Sequence, residues 1–185
     1  MSALHELQFN VAQLLKEPTG ATRSYDISTE IENELDDEIL AVSPLVGQVE
    51  FLRTGSDILV TGLLRTTLQK TCGRCLTDFT MPVSIELEEE FYPVIDILTG
   101  IPLPKSAEVD LANLINEQNI LDLTEVVRQE LVVASDAILY CRPDCKGLCP
   151  QCGQDRNVSP CNCQEEQIDP RWASLQALQT EDWDL

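Results

Sequence analysis

Residues 58–91 read ILVTGLLRTTLQKTCGRCLTDFTMPVSIELEEEF, and their periodicity decides the fold class. Phe79, Met81, Val83, Ile85 and Leu87 alternate with Thr80, Pro82, Ser84, Glu86 and Glu88. Successive side chains on a strand point to opposite faces, so this period of two predicts a strand with one buried and one wet face. Upstream, Ile58, Val60, Gly62 and Leu64 keep the same period. The two runs flank TCGRCLTD, which predicts an antiparallel hairpin carrying Cys72 and Cys75 at its connection. Pro82 has no amide donor and belongs at an edge or an irregular point of its strand.

Working outward, VEFLRT (49–54) predicts a preceding strand, turned by GS at 55–56, and LQFNV (7–11) suits a first strand. LLKEPTG turns away from it, with Gly20 in a loop. DISTEIENELDDE (26–38) carries seven acidic side chains around Ile27 and Ile31, and reads as an acidic strand–loop or a poorly ordered segment. Beyond Tyr92 and Pro93, DILTGIPLPKSAEVD reads as a loop. DLTEVVRQELVVA predicts a helix: Asp122 and Glu125 have capping-box spacing, and Leu123, Val126, Val127 and Leu131 form a stripe that covers the sheet. DPRWASLQAL predicts a short last helix with Asp169 as cap, Pro170 at its first position, and Trp172, Leu175 and Leu178 on one face. The expected fold is α+β: a predominantly antiparallel β body with a covering helix and a C-terminal cysteine-rich zinc-binding segment.

The zinc expectation comes from CRPDCKGLCPQCGQDRNVSPCNC (141–163), which holds six of the eight cysteines. CGRC and CPQC each place two thiols with two residues between them, a spacing that lets both sulfurs reach one metal from a tight turn. Gly153 supplies a backbone geometry there that other residues resist. Cys141 with Cys145, and Cys161 with Cys163, offer two further pairs. Zinc accepts four thiolates in closed structural sites, so Cys72, Cys75, Cys141, Cys145, Cys149, Cys152, Cys161 and Cys163 suffice for up to two ions. The preferred division joins Cys149, Cys152, Cys161 and Cys163 in the tail, and Cys72 and Cys75 with Cys141 and Cys145. Another interleaving, or a tail site with a reduced Cys72–Cys75 pair, also satisfies the count.

Other uses of the thiols have specific requirements. Disulfides suit an exported chain, and MSALHELQFN has neither a basic n-region nor an apolar h-region. Iron–sulfur ligation lacks its usual spacings. A thioredoxin-like role for CxxC lacks the strand-to-helix setting around CGRC. Buried core cysteines are the plain alternative. The only histidine, His5, joins no triad or ligand motif, and there is no phosphate loop, so an enzyme is the minority reading. No apolar run approaches a membrane span, and a soluble, cytoplasmic protein is expected, with no membrane partner.

Charge bounds the partners. Twelve Lys and Arg stand against 32 Asp and Glu, for a net charge of -20. Such a field repels a phosphate backbone and attracts basic proteins. Six of the cations lie near cysteines: Arg65, Lys70 and Arg74 at one cluster, Arg142, Lys146 and Arg156 at the other. They offset thiolate charge, or with Trp172 they offer contacts to RNA or a partner.

TCGRCLTDFTMPV, CRPDCKGLCPQCGQDRN and DPRWASLQAL together resemble the bacterial and plastid YceD family, along nearly all 185 residues. The CxRCL motif is met by Cys72, Arg74, Cys75 and Leu76. CxxxCxGxCxxCG is met by Cys141, Cys145, Gly147, Cys149, Cys152 and Gly153, and Asn157, the CNC pair and DPRW also fit. Arg156 departs, standing where many relatives have leucine. The resemblance implies a non-enzymatic role in accumulation of large-subunit (23S) ribosomal RNA, hence ribosome biogenesis, without implying direct RNA contact. Some relatives keep the central pair without the cysteine-rich tail. The expected organisation is a YceD-like β-rich body over 1–135 and a cysteine-rich tail over 136–185, packed on the body. A basic ribosomal or ribosome-assembly protein is the expected partner, with rRNA contacted directly or through it; a direct rRNA-binding zinc protein and a thiol-redox or zinc-dependent enzyme are the alternatives.

Overall fold

The computed structural model describes residues 7–31, 34–36, 39–104, 109–136, 140–163 and 171. Its centre is the expected hairpin. Strand β6 (Ile58–Thr71) pairs antiparallel with β7 (Asp78–Pro93) along its whole length, from Ile58 opposite Phe91 to Thr71 opposite Asp78. Met81, Val83, Ile85 and Leu87 are buried and Thr80, Pro82, Ser84, Glu86 and Glu88 exposed, as the period of two requires. Pro82 pairs only with Thr67 of β6, its other side being an edge among the described residues.

The opposite side of β6 is filled by two strands in tandem. β5 (Leu45–Arg53) pairs with Ile58 to Arg65, and β4 (Ile39–Ala41) continues along the same side opposite Leu68 to Lys70. Between them Ser43 stitches the chain to β6: its Oγ accepts from the Thr67 amide at 2.8 Å, and its carbonyl accepts from Thr66 Oγ1 at 2.8 Å. β2 (Thr22–Thr29) adds outside β5, and β3 (Glu34–Asp36) outside β4. The acidic stretch 26–38 is therefore strand at both of its described ends.

Close approach of β5 and β6 depends on two glycines. A Cβ on Gly47 would stand 2.1 Å from the Leu63 carbonyl oxygen, and one on Gly62 2.6 Å from that of Gln48. Only a residue without Cβ fits either position.

β1 (Gln8–Asn10) pairs with β9 (Ile120–Asp122), and β8 (Leu114–Ile115) runs parallel to β7 at Tyr92 and Pro93. That one parallel contact makes a predominantly antiparallel sheet mixed. Helix α1 (Thr124–Asp136) lays Val126, Val127 and Leu131 into one core with Val60, Leu64, Met81, Ile85 and Phe91. Asp122 accepts from the Thr124 amide at 2.8 Å. Glu125 instead binds Arg128 at 2.7 Å and Gln129 at 3.1 Å, so only the Asp122 half of the expected box is seen. Phe9, Tyr25 and Phe51 close the far end, with centroids 4.7–5.0 Å apart. Of the three only Phe51 is fully buried, which contributes about 1.5–3 kcal/mol.

The chain divides into two compact units, Met1–Cys145 and Lys146–Leu185. No helix among the described residues is long and apolar enough to cross a membrane. His5, Trp172 and the expected last helix, Arg171 apart, lie outside the described residues.

Candidate metal centres

The first cluster is built on the β6–β7 connection. Cys72 ends the strand pairing, its amide bonds the Thr77 carbonyl at 3.0 Å, and the Leu76 amide returns to the Cys72 carbonyl at 2.9 Å. This knuckle faces Cys72 and Cys75 toward Cys141 and Cys145, in the chain beyond α1. All four sulfurs lie within 4.8 Å of one another, and three of the four cysteines are buried. Cys72 to Cys145 is 3.9 Å and Cys75 to Cys141 is 3.8 Å. A disulfide needs about 2.05 Å. A tetrahedron with metal–sulfur bonds of about 2.3 Å has edges of about 3.8 Å. The spacing fits a four-coordinate zinc.

Amides set the charge of these sulfurs. The Cys141 amide lies 3.3 Å from Cys72 Sγ, and the Arg74 amide 3.5 Å. Burial pushes the Cys72 thiol up, but these amides and that of Cys75 outweigh it and bring it down to about 6. Burial, together with its sulfur neighbours, pushes Cys141 up to about 12. One sulfur is thus prepared as a thiolate while a neighbour holds its proton, a donor set that a cation completes by displacing protons.

The second cluster repeats the device within the other unit. The Cys149 amide bonds the Gln154 carbonyl at 2.8 Å, and the Gly153 amide returns to the Cys149 carbonyl at 2.9 Å. Gly153 takes φ 71° and Leu76, at the matching position of the first knuckle, takes φ 55°. Cys149, Cys152, Cys161 and Cys163 again lie within 4.8 Å of one another, though only Cys149 is buried. Amides of Cys152 and Gln151 bring Cys149 down to about 6, while a hydrogen bond with Cys152 and burial push Cys163 up to about 12. Asn157 braces the loop: its Oδ1 accepts from the Lys146 amide at 2.9 Å. The sulfurs thus fall into the division preferred from sequence, and CGRC sits in a strand–turn–strand, not at a helix start.

The cations singled out from sequence take different places. Lys70 turns its ammonium inward, 3.1 Å from the Ser135 carbonyl and 3.2 Å from Asp136, at the negative end of α1. Arg74 also works within its own unit. Its guanidinium lies 3.8 Å over the Tyr140 ring and donates to the Cys145 and Pro143 carbonyls at 3.2 and 3.4 Å. Sequence reasoning missed Tyr140, because nothing local ties it to an arginine 66 positions earlier. Arg156 hydrogen-bonds Cys149, and the charges of Cys149 and Cys161 help raise its pKa. It therefore offsets thiolate charge in place of an apolar contact. Arg142 pairs with Asp144 at 3.4 Å, and Arg65, Arg142 and Lys146 are exposed.

The family model described as large ribosomal RNA subunit accumulation protein YceD matches residues 60–179. The chain belongs to the YceD family. The matched span holds both clusters and begins within β6, so it is shorter than the near-complete resemblance expected. An uncharacterized protein of Mycobacterium tuberculosis is 36% identical over 119 residues, 64% of this chain and 54% of that protein. One from Mycobacterium leprae is 32% identical over 120 residues, 64% of this chain and 52% of its own. The uncharacterized protein YlbN of Bacillus subtilis is 29% identical over 114 residues, 60% of each chain. This YceD chain spans about half the length of the curated relatives it matches. No solved structure matches it significantly.

Proposed function

We propose that this YceD-family chain is a non-enzymatic ribosome-biogenesis factor, working in the cytoplasm. It supports accumulation of large-subunit ribosomal RNA by engaging a basic ribosomal or assembly protein through its acidic surface. The family description supplies the rRNA connection. The observation that carries the choice of partner is the charge: 32 acidic residues against 12 basic ones. Of those cations, Lys70, Arg74 and Arg156 are engaged by their own units. A protein that grips a phosphate backbone needs a row of free cations.

On this reading the two clusters hold zinc structurally. Cys72, Cys75, Cys141 and Cys145 would bind one ion, and Cys149, Cys152, Cys161 and Cys163 another. Four thiolates fill a tetrahedral zinc and leave no open position for substrate, which supports a scaffold over a catalyst.

Direct rRNA recognition is the second reading, favoured by the exposure of Arg65, Arg142 and Lys146. Crosslinking in growing cells, followed by identification of both protein and RNA partners, separates the two. The proposal expects a basic large-subunit or assembly protein as the direct crosslink, with rRNA recovered only through it. Direct rRNA crosslinks at Arg65, Arg142 or Lys146, without a protein partner, would overturn it.

A further inference from the structure

The sheet has two faces, and α1 covers one. The other face is open and contains an apolar strip. Leu40, Val42, Val46 and Leu63 are 40%, 44%, 45% and 44% exposed. The register lays the strip out. Leu63 stands between Gln48 and Glu86, Val46 lies opposite Arg65, and Leu40 lies opposite Gln69. From Leu63 to Gln69 the strip runs for about 20 Å at 3.3 Å per residue.

Carboxylates rim it. In the row next to Leu63, Thr61 stands between Glu50 and Glu88. Two strand spacings separate these acids, about 10 Å, which is the width of a helix. Among the described residues Glu50, Glu86 and Glu88 have no cation within ion-pair distance. An apolar strip on an open sheet asks for cover, and its rim selects the sign of what covers it. Exposed Arg65, between Val46 and Ser84, is a cation within these rows, but Glu50, Glu86 and Glu88 outnumber it, so RNA, anionic lipid and the same face of a second copy would all meet a net like charge.

We propose that this face is the docking surface for the basic partner. The occupant is a protein segment whose apolar side chains cover Leu63, Val46, Val42 and Leu40 while its Lys or Arg side chains reach Glu50, Glu86 and Glu88. The proposal rests on the reading above of a chain that acts through a basic protein, and adds where that protein binds.

The test uses the intact metal-loaded chain, immobilised, with individually purified large-subunit ribosomal proteins and, separately, purified large-subunit rRNA. Glu86→Lys, Glu88→Lys and Leu63→Ser alter the face; Glu117→Lys and Val133→Ser are exposed controls away from it. The expected result is saturable binding of at least one ribosomal protein, weakened about tenfold or more by each face variant and less than about twofold by the controls. Protein binding that ignores the face variants would overturn the docking surface and leave the basic-partner reading standing. Binding of rRNA with no ribosomal protein would overturn both. A dimer in sedimentation that Leu63→Ser dissolves would assign the face to a second copy and overturn the proposal.

Discussion

Arg74 braces the first cysteine cluster without being one of its four thiols. Its flat guanidinium stacks over Tyr140 and forks onto two carbonyls of the chain bearing Cys141 and Cys145. Groups that orient ligands in this way commonly set metal affinity by 10–100-fold. Arg74→Ala is therefore expected to lower zinc affinity at this cluster by about tenfold or more, read by chelator competition. Arg74→Lys should recover little, because an ammonium cannot stack and fork together. Unchanged affinity in both variants would count against the role. Leu76 offers a second test. It occupies a left-handed conformation at φ 55° with its side chain 65% exposed, where the sister knuckle uses Gly153. The backbone penalty outweighs the entropy a glycine adds to the unfolded chain, so Leu76→Gly should stabilise by about 0.5–1 kcal/mol in denaturant titration. A loss of stability would show that the exposed leucine makes a contact worth more than its strain.

At the scale of elements, β5 and β6 meet at Gly47 and Gly62, and the 2.1 Å approach to a backbone oxygen leaves no side chain free to yield. Gly47→Ala should destabilise by about 2–3 kcal/mol, seen as a lower denaturation midpoint with an unchanged slope. A neutral substitution would mean the strands separate readily there. The long elements were legible in sequence for local reasons. The alternation from Phe79 to Leu87, the turn at Gly55 and Ser56, and the stripe of α1 are all written within a few residues. The short pairings were not: β1 and β9 are three-residue strands far apart in the chain, and β8, which pairs with the end of β7, has two residues, so no period can develop in them. The inward turn of Lys70 was hidden for a related reason, since its partners, Ser135 and Asp136, are supplied by a helix 65 residues later. The cysteine spacings announced both knuckles, while the amides that tune Cys72 and Cys149 emerge only with the fold.

Across the whole molecule, the two units rest on different forces. Met1–Cys145 has a continuous apolar core extending from Leu7 to Leu131. Among the described residues of Lys146–Leu185, only Gly147 and Cys149 are buried. On the proposed reading, a segment with so little to bury depends on bound zinc for folding. Chelation is expected to abolish amide protection over 146–163 while β5, β6 and β7 stay protected, a contrast hydrogen exchange resolves directly. Retained protection over 146–163 after complete metal removal would contradict this division. On the proposed reading, the eight thiols form an arrangement of two closed zinc sites supporting an acidic, partner-binding surface. Its most direct test is metal content measured together with thiol reactivity on the intact protein purified without chelator. The expected result is two zinc ions per chain with no thiol reacting under native conditions; a metal-free chain with a reversible disulfide in either CxxC pair would contradict it.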